Sequence, residues 1–192
     1  MNDLKKHSNS PTSIFYLSAE SLLKSVYGED TRNYIPIDVN RVCKFLNIEI
    51  IKDYDNSGEF VGKITKSNNS SYITVNMWEN DYRPRYRFTV AHEIGHYCLH
   101  LTSSAEKEFI DREFTLFRKS FALGKQEREA NQFAAELLIP HEALEYKIRE
   151  IMPNASTLLG KEWIEYMIRK LADIFDVSNV AMEYRLRNLG LI

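Results

Sequence analysis

The chain has 192 residues, 44% of them hydrophobic, and a mass of 22.5 kDa, a length that suits one compact domain or one domain with a small appendage. With 25 Lys plus Arg against 27 Asp plus Glu, its net charge is -2 and its pI about 6.2, which excludes the broad cationic field of a general nucleic-acid binder while leaving room for a local basic patch. No apolar run reaches the roughly 18 residues of a membrane span and no secretory leader pattern opens the chain, so a soluble, unexported, cytoplasmic protein is expected. Cys43 and Cys98 lie far apart and form no CxxC pair, which fits a reduced chain.

Residues 1–13 are polar and expected to be flexible. Ile14, Leu17, Leu22, Leu23 and Val26 then recur at helical spacing, with Gly28 after Tyr27 as a stop, so a first helix is predicted there. Asp38 is an N-cap candidate for a short second helix with Val39, Val42, Phe45 and Leu46 facing inward, ending near Asn47. Ile48 to Ile51, Glu59 to Thr65 and Tyr72 to Asn76 read as strands, and three short strands imply a small, mainly antiparallel sheet. After Pro84 a helix is predicted from about Tyr86 to Leu101, with Val90, Ile94, Cys98 and Leu101 on one side. Thr102 to Gly124 mixes charge with Phe109, Phe114, Phe117 and Phe121 and shows no clear period; a loop covering a cleft and a docking surface are both open readings. Helices follow from about Lys125 to Leu138, ended by Ile139-Pro140, and then near His141 to Ile151, Lys161 to Phe175 and Ser178 to Leu189. There is no internal repeat, linker or low-complexity segment.

The predicted 86–101 helix contains His92-Glu93-Ile94-Gly95-His96, an HExxH match. Residues four apart on a helix differ by about 40° in direction and about 6 Å in height, so both imidazoles can face one metal. Glu93 sits beside that face, where a carboxylate can act as general base toward a metal-activated water. Zinc suits the set, because it accepts imidazole ligands, needs no redox change and leaves a position for water. The competing reading is two exposed histidines and a solvated glutamate on an ordinary helix, so a third ligand decides. The 125–138 helix offers Glu127, with Ala130, Asn131 and Ala134 on the same face, where small side chains allow close packing. Asn131 is then placed to accept a hydrogen bond from the far nitrogen of a ligand histidine. Glu129 points about 200° away and is the weaker alternative. For both glutamates the opposing reading is a solvated charged turn at the positive end of the helix dipole.

Arg87 to His100, followed by Glu127 to Pro140 with its ending Phe133-Ala134-Ala135-Glu136-Leu137-Leu138-Ile139-Pro140, resembles the two signatures of the ImmA/IrrE family of zinc metallopeptidases. The resemblance is clear over about Ile37 to Pro140, looser in the final helices, and does not cover the region before Asp38 or the Phe-rich stretch. It implies a zincin-like core, His92, His96 and Glu127 as zinc ligands, and Glu93 as general base. It also implies a substrate class, helix-turn-helix repressors, whose cleavage relieves repression in mobile elements or stress responses. The wider glutamate-ligand peptidases often carry an aspartate four residues after the ligand; here Asn131 stands there, a weaker acceptor.

Other signals are less specific. His100 follows His96 by four and is either at the site's edge or on the surface. Leu99 and Thr102 exclude the HExxHxxGxxH pattern of a third histidine ligand. Gly95 inside a helix is read either as close approach by a strand or a substrate backbone or as mere tolerance, Cys98 as a buried core thiol rather than a redox handle near the metal, and Arg83, Arg85 and Arg87 as solvated charge rather than an acidic or nucleic-acid contact. Leu171 to Leu186 scans like a helix-turn-helix with Arg185 and Arg187 on its second helix, although Val180, Tyr184 and Leu186 suit a packed helix pair equally. The expectation is an α+β fold, a small sheet on a mostly helical body, forming a single metallopeptidase domain over residues 1–192 with a C-terminal helical subregion from 141. The expected function is zinc-dependent cleavage of a regulatory protein, and the rivals are a non-catalytic metal-binding regulator and a DNA-binding module.

Overall fold

The computed structural model describes residues 16–54, 59–67, 70–101, 107–111, 124–152 and 160–192. The 1–13 segment, Ile14, and Phe114, Phe117 and Phe121 lie outside them. The first helix, α1, spans Ala19–Tyr27, because Ser18 caps it: its Oγ accepts from the Ser21 amide at 3.2 Å. Leu17 therefore precedes the helix and is 79% exposed, while Ala19, Leu22, Leu23 and Val26 are buried. In α2 (Val39–Phe45) the Asp38 carboxylate accepts from the Asn40 amide at 2.9 Å. Its buried stripe is Val39, Val42 and Cys43. Phe45, three residues past Val42, falls on the flank and is exposed rather than inward-facing.

Four strands, β1 (Ile48–Asp53), β2 (Gly62–Lys66), β3 (Ser71–Asn76) and β4 (Glu108–Asp111), form a sheet in the order β1-β3-β2-β4. β2 pairs antiparallel with β3 and β4, whereas β1 runs parallel to β3. The parallel pair and the fourth strand both depend on connections longer than a hairpin, which strand-by-strand periodicity does not register. β2 starts at Gly62 rather than Glu59, because side-chain amides occupy the carbonyls before it: Asn76 Nδ2 donates to Phe60 and Asn80 Nδ2 to Val61, each at 3.0 Å.

Helix α3 (Arg83–His96) begins earlier than predicted, since Pro84 sits in the first turn, where its missing N–H has no helical partner to lose. It ends in a π-helical turn, Tyr97–Leu101, instead of continuing as α-helix. Helices α4 (Lys125–Leu138), α5 (His141–Ile151), α6 (Gly160–Phe175) and α7 (Asn179–Asn188) complete the body. α3 lies against α4 so closely that a Cβ on Gly95 would stand 3.1 Å from the Cα and carbonyl oxygen of Ala130. The close approach expected at Gly95 is thus made by a helix, not a strand or a substrate.

Two buried arginines fasten helix ends. Arg87 donates from Nε to the Asp176 carbonyl at 3.0 Å, at the α6–α7 turn where Asp176 has φ 53°, and its ion pair with the Asp176 carboxylate measures 3.2 Å. Arg185 donates from Nε to the Ile139 carbonyl at 3.2 Å, at the end of α4. Arg87 is therefore not the solvated charge expected of it; Arg83 pairs with Asp176 and Arg85 with Glu79 at the surface. One apolar cluster runs from Tyr16 to Leu186 and draws on all seven helices and on β1, β2 and β3. No helix among the described residues is long and apolar enough to cross a membrane.

Candidate metal centre

Every residue of α3 from Arg87 to His96 is buried, between the sheet and α4. Charged and polar groups so placed need partners. His92 and His96 bring their Nε2 atoms within 3.0 Å of each other. Glu127, in the first turn of α4, sets Oε2 at 3.2 Å from His92 Nε2 and Oε1 at 3.2 Å from His96 Nε2. The ligand atoms of the three residues all lie within 4.8 Å of one another. Ligands about 2.0–2.1 Å from a tetrahedral metal stand about 3.3 Å apart, close to these separations. Two imidazoles and a carboxylate are also a chemically suitable donor set for a divalent ion, so the residues present fit a metal. Glu129, the weaker alternative, is turned away toward His100, with Oε2 at 3.1 Å from His100 Nε2.

Burial pushes the His96 imidazole below its ordinary pKa, against the opposing pull of Glu127; the neutral ring it favours is the form with a lone pair to donate. Burial alone would raise Glu127, but the hydrogen bonds and charge of His92 and His96 outweigh it and hold the carboxyl well below the usual carboxylate range. The centre therefore presents His96 as a nitrogen base beside the Glu127 anion.

Glu93 is fully buried beneath β2. A Cβ on Gly62 would lie 2.7 Å from Glu93 Oε1 and 2.6 Å from Thr89 Cγ2, so only glycine lets the strand pass here. The spacing is clamped from behind: Thr89 donates its hydroxyl hydrogen to Asn80 Oδ1 at 2.6 Å, and Asn80 Nδ2 donates to the Asn76 carbonyl at 2.7 Å. Sequence reasoning missed Gly62, Asn76 and Asn80 as parts of the site, because Gly62 meets Glu93 only when a strand and a helix pack together, and the two asparagines act through side-chain hydrogen bonds that follow no period.

His100 is buried, not a surface residue. Its Nδ1 lies 3.1 Å from Nδ1 of His96, taking beside that ring the place expected for Asn131, which sits half-buried in α4. The π-helical turn explains the reach: four residues overshoot a full α-turn but fall short of the wider π-turn, which swings His100 back over the ligand face. Phe109 of β4 stacks on His96 with ring centroids 4.6 Å apart and planes at 18°. That residue was legible only as part of an aperiodic aromatic stretch. Cys98 is the core thiol expected, its pKa pushed up to about 12 by burial.

The C-terminal pair packs through Ala181, Met182, Arg185 and Leu186 of α7. Val180 and Tyr184, expected on that packed face, are 52% and 41% exposed. Arg185 is inside the protein, and Arg187 pairs with Glu183 at 2.7 Å, so one of the two arginines on which a DNA-binding reading relied is unavailable to a phosphate.

Residues 63–187 match the family model Peptidase_M78, described as an IrrE N-terminal-like domain. The match extends through most of α7, where the resemblance of the sequence was looser, and begins within β2 rather than at α2. The chain is also 28% identical over 120 residues to "Uncharacterized immunity region protein 2" of Bacillus phage phi105, covering 62% of this chain and 70% of that protein.

Proposed function

The chain belongs to the Peptidase_M78 family of IrrE N-terminal-like domains, and from that membership we propose that it is a zinc-dependent endopeptidase with His92, His96 and Glu127 as metal ligands and Glu93 as general base. The observation that carries this reading is the convergence of two imidazoles and a carboxylate on one point, with a buried carboxylate one residue from the first of them. Zinc bound there supplies a Lewis acid that polarises the scissile carbonyl and lowers the pKa of the attacking water toward neutrality. Glu93 takes a proton from that water and passes it to the departing amine nitrogen, while the water's oxygen ends on the carbonyl carbon and the C–N bond breaks. In this reading Gly62 leaves the room that the carboxylate needs, and the Asn76–Asn80–Thr89 hydrogen bonds fix Thr89 under the same glycine. β4 is one of the two outer strands of the sheet among the described residues, and its Phe109 stacks on His96. An extended polypeptide laid along β4 would pass beside the ligands, an arrangement suited to a protein substrate.

The substrate we infer is a regulatory protein of the helix-turn-helix repressor class. The ImmA/IrrE signatures support it, as does similarity to a phage protein whose name places it in an immunity region. The single buried cluster supports one metallopeptidase domain, and two buried cysteines that join in no disulfide among the described residues support a reducing cytoplasm as its setting. The test is metal content by mass spectrometry on untagged protein, with cleavage of repressors encoded near its gene. About one zinc per chain is expected, lost in His96→Ala and Glu127→Ala and kept in Glu93→Gln, whose cleavage rate should fall by about 10²–10⁴. A wild type that takes up no zinc would end the metallopeptidase reading, and a Glu93→Gln protein that cuts at the wild-type rate would end the assignment of the base.

A further inference from the structure

We propose that His100 and Glu129 form a positioning relay behind His96, so that a metal ligand is oriented by a second imidazole and, through it, by a carboxylate. The proposal rests on the ligand assignment above. His96 Nδ1 and His100 Nδ1 are 3.1 Å apart, and His100 Nε2 is 3.1 Å from Glu129 Oε2. A neutral imidazole has one N–H and one lone pair. If Nε2 of His96 keeps its lone pair for the metal, its hydrogen is on Nδ1 and is donated to Nδ1 of His100. That nitrogen must then be bare, which puts the hydrogen of His100 on Nε2, donated to Glu129. Each link determines the next, and the chain ends correctly on an acceptor.

Carboxylate–histidine–metal arrangements fix the tautomer and raise ligand basicity; here an imidazole is interposed, and the hydrogen bonds polarise one another along the row. The surroundings favour it. The π-helical turn brings His100 over His96, Phe109 stands against both rings, both histidines are buried, and Lys125 Nζ lies 3.6 Å from the other oxygen of Glu129. Neither His100 nor Glu129 touches the reacting atoms, so both are positioning residues.

Long-range 1H–15N correlation spectra of the zinc-loaded wild type should show His96 as the Nδ1–H tautomer and His100 as the Nε2–H tautomer; His100 in the Nδ1–H form overturns the relay without any substitution. His100→Phe keeps a ring in the stack but removes the acceptor, and competition with a chelator should show zinc held about tenfold more weakly at an unchanged melting temperature of the metal-free protein. Glu129→Gln should weaken zinc by a smaller factor, and only while His100 is present. A Glu129→Gln effect that persists in the double variant overturns the relay, as does wild-type zinc affinity in His100→Phe; both outcomes leave the ligand set standing. Failure of the wild type to bind zinc instead removes the ligand assignment, and the relay with it. Should His100→Phe not fold, the wild-type tautomers decide.

Discussion

The two ends of α4 both bury charge, and they do so in opposite ways. At the C-terminal end, the Arg185 guanidinium donates to the Ile139 carbonyl and lies 3.7 Å from Glu136 Oε1. Donor meets acceptor, and the cluster is closed within the chain. At the N-terminal end, Glu127 meets His92 and His96, a carboxylate and two imidazoles whose polar atoms converge on one point. The helix dipole favours both, an anion at the first turn and a cation at the last. Buried charge by itself is therefore no mark of function; the pattern of donors and acceptors separates a fastening from a ligand set.

Substitutions should separate the two ends cleanly. Outside the residues proposed to take part in the chemistry, the largest effect is expected from Gly62→Ala, whose added methyl displaces Glu93: cleavage should fall about 10²-fold, as for misplacement of a reacting group by about 1 Å, with zinc content unchanged. Normal kcat/KM in that variant would show that β2 does not hold Glu93, the proposed general base. Next, Arg185→Met should cost about 2 kcal/mol in urea unfolding, since the Ile139 carbonyl loses its donor, while zinc content and cleavage remain as in the wild type. Loss of metal there would mean that the two ends of α4 are not independent. The smallest effect belongs to Arg187→Ala, which breaks only the exposed pair with Glu183: stability should change by no more than about 0.5 kcal/mol. A substantial fall in affinity for duplex DNA in this variant would revive the DNA-binding reading of α7.

Much of this contrast was legible in the sequence. The HExxH spacing and the face shared by Glu127, Ala130 and Ala134 are local regularities, as are the caps at Asp38 and Gly28, and local regularities survive into the fold. What was not legible depends on where distant segments meet. β4 is invisible as a strand until β2 pairs with it, and Gly62 looks like an ordinary strand glycine until Glu93 lies under it. Arg87 and Arg185 have the composition of surface charge, yet each is buried because a helix end elsewhere in the chain presents a carbonyl. His100 was left open between the site's edge and the surface for a different reason: the spacing was read as plain α-helix, and the π-helical turn that brings it against His96 was not visible in the sequence.

The Arg87 fastening also has a chronology. It joins the helix bearing both imidazoles to a turn 89 residues later in the chain, a contact of high sequence separation. At roughly ten residues per second of synthesis, about nine seconds separate the emergence of the two partners. During that interval the newborn helix carries its full histidine motif but lacks the turn that anchors it, so the motif is made well before its fastening.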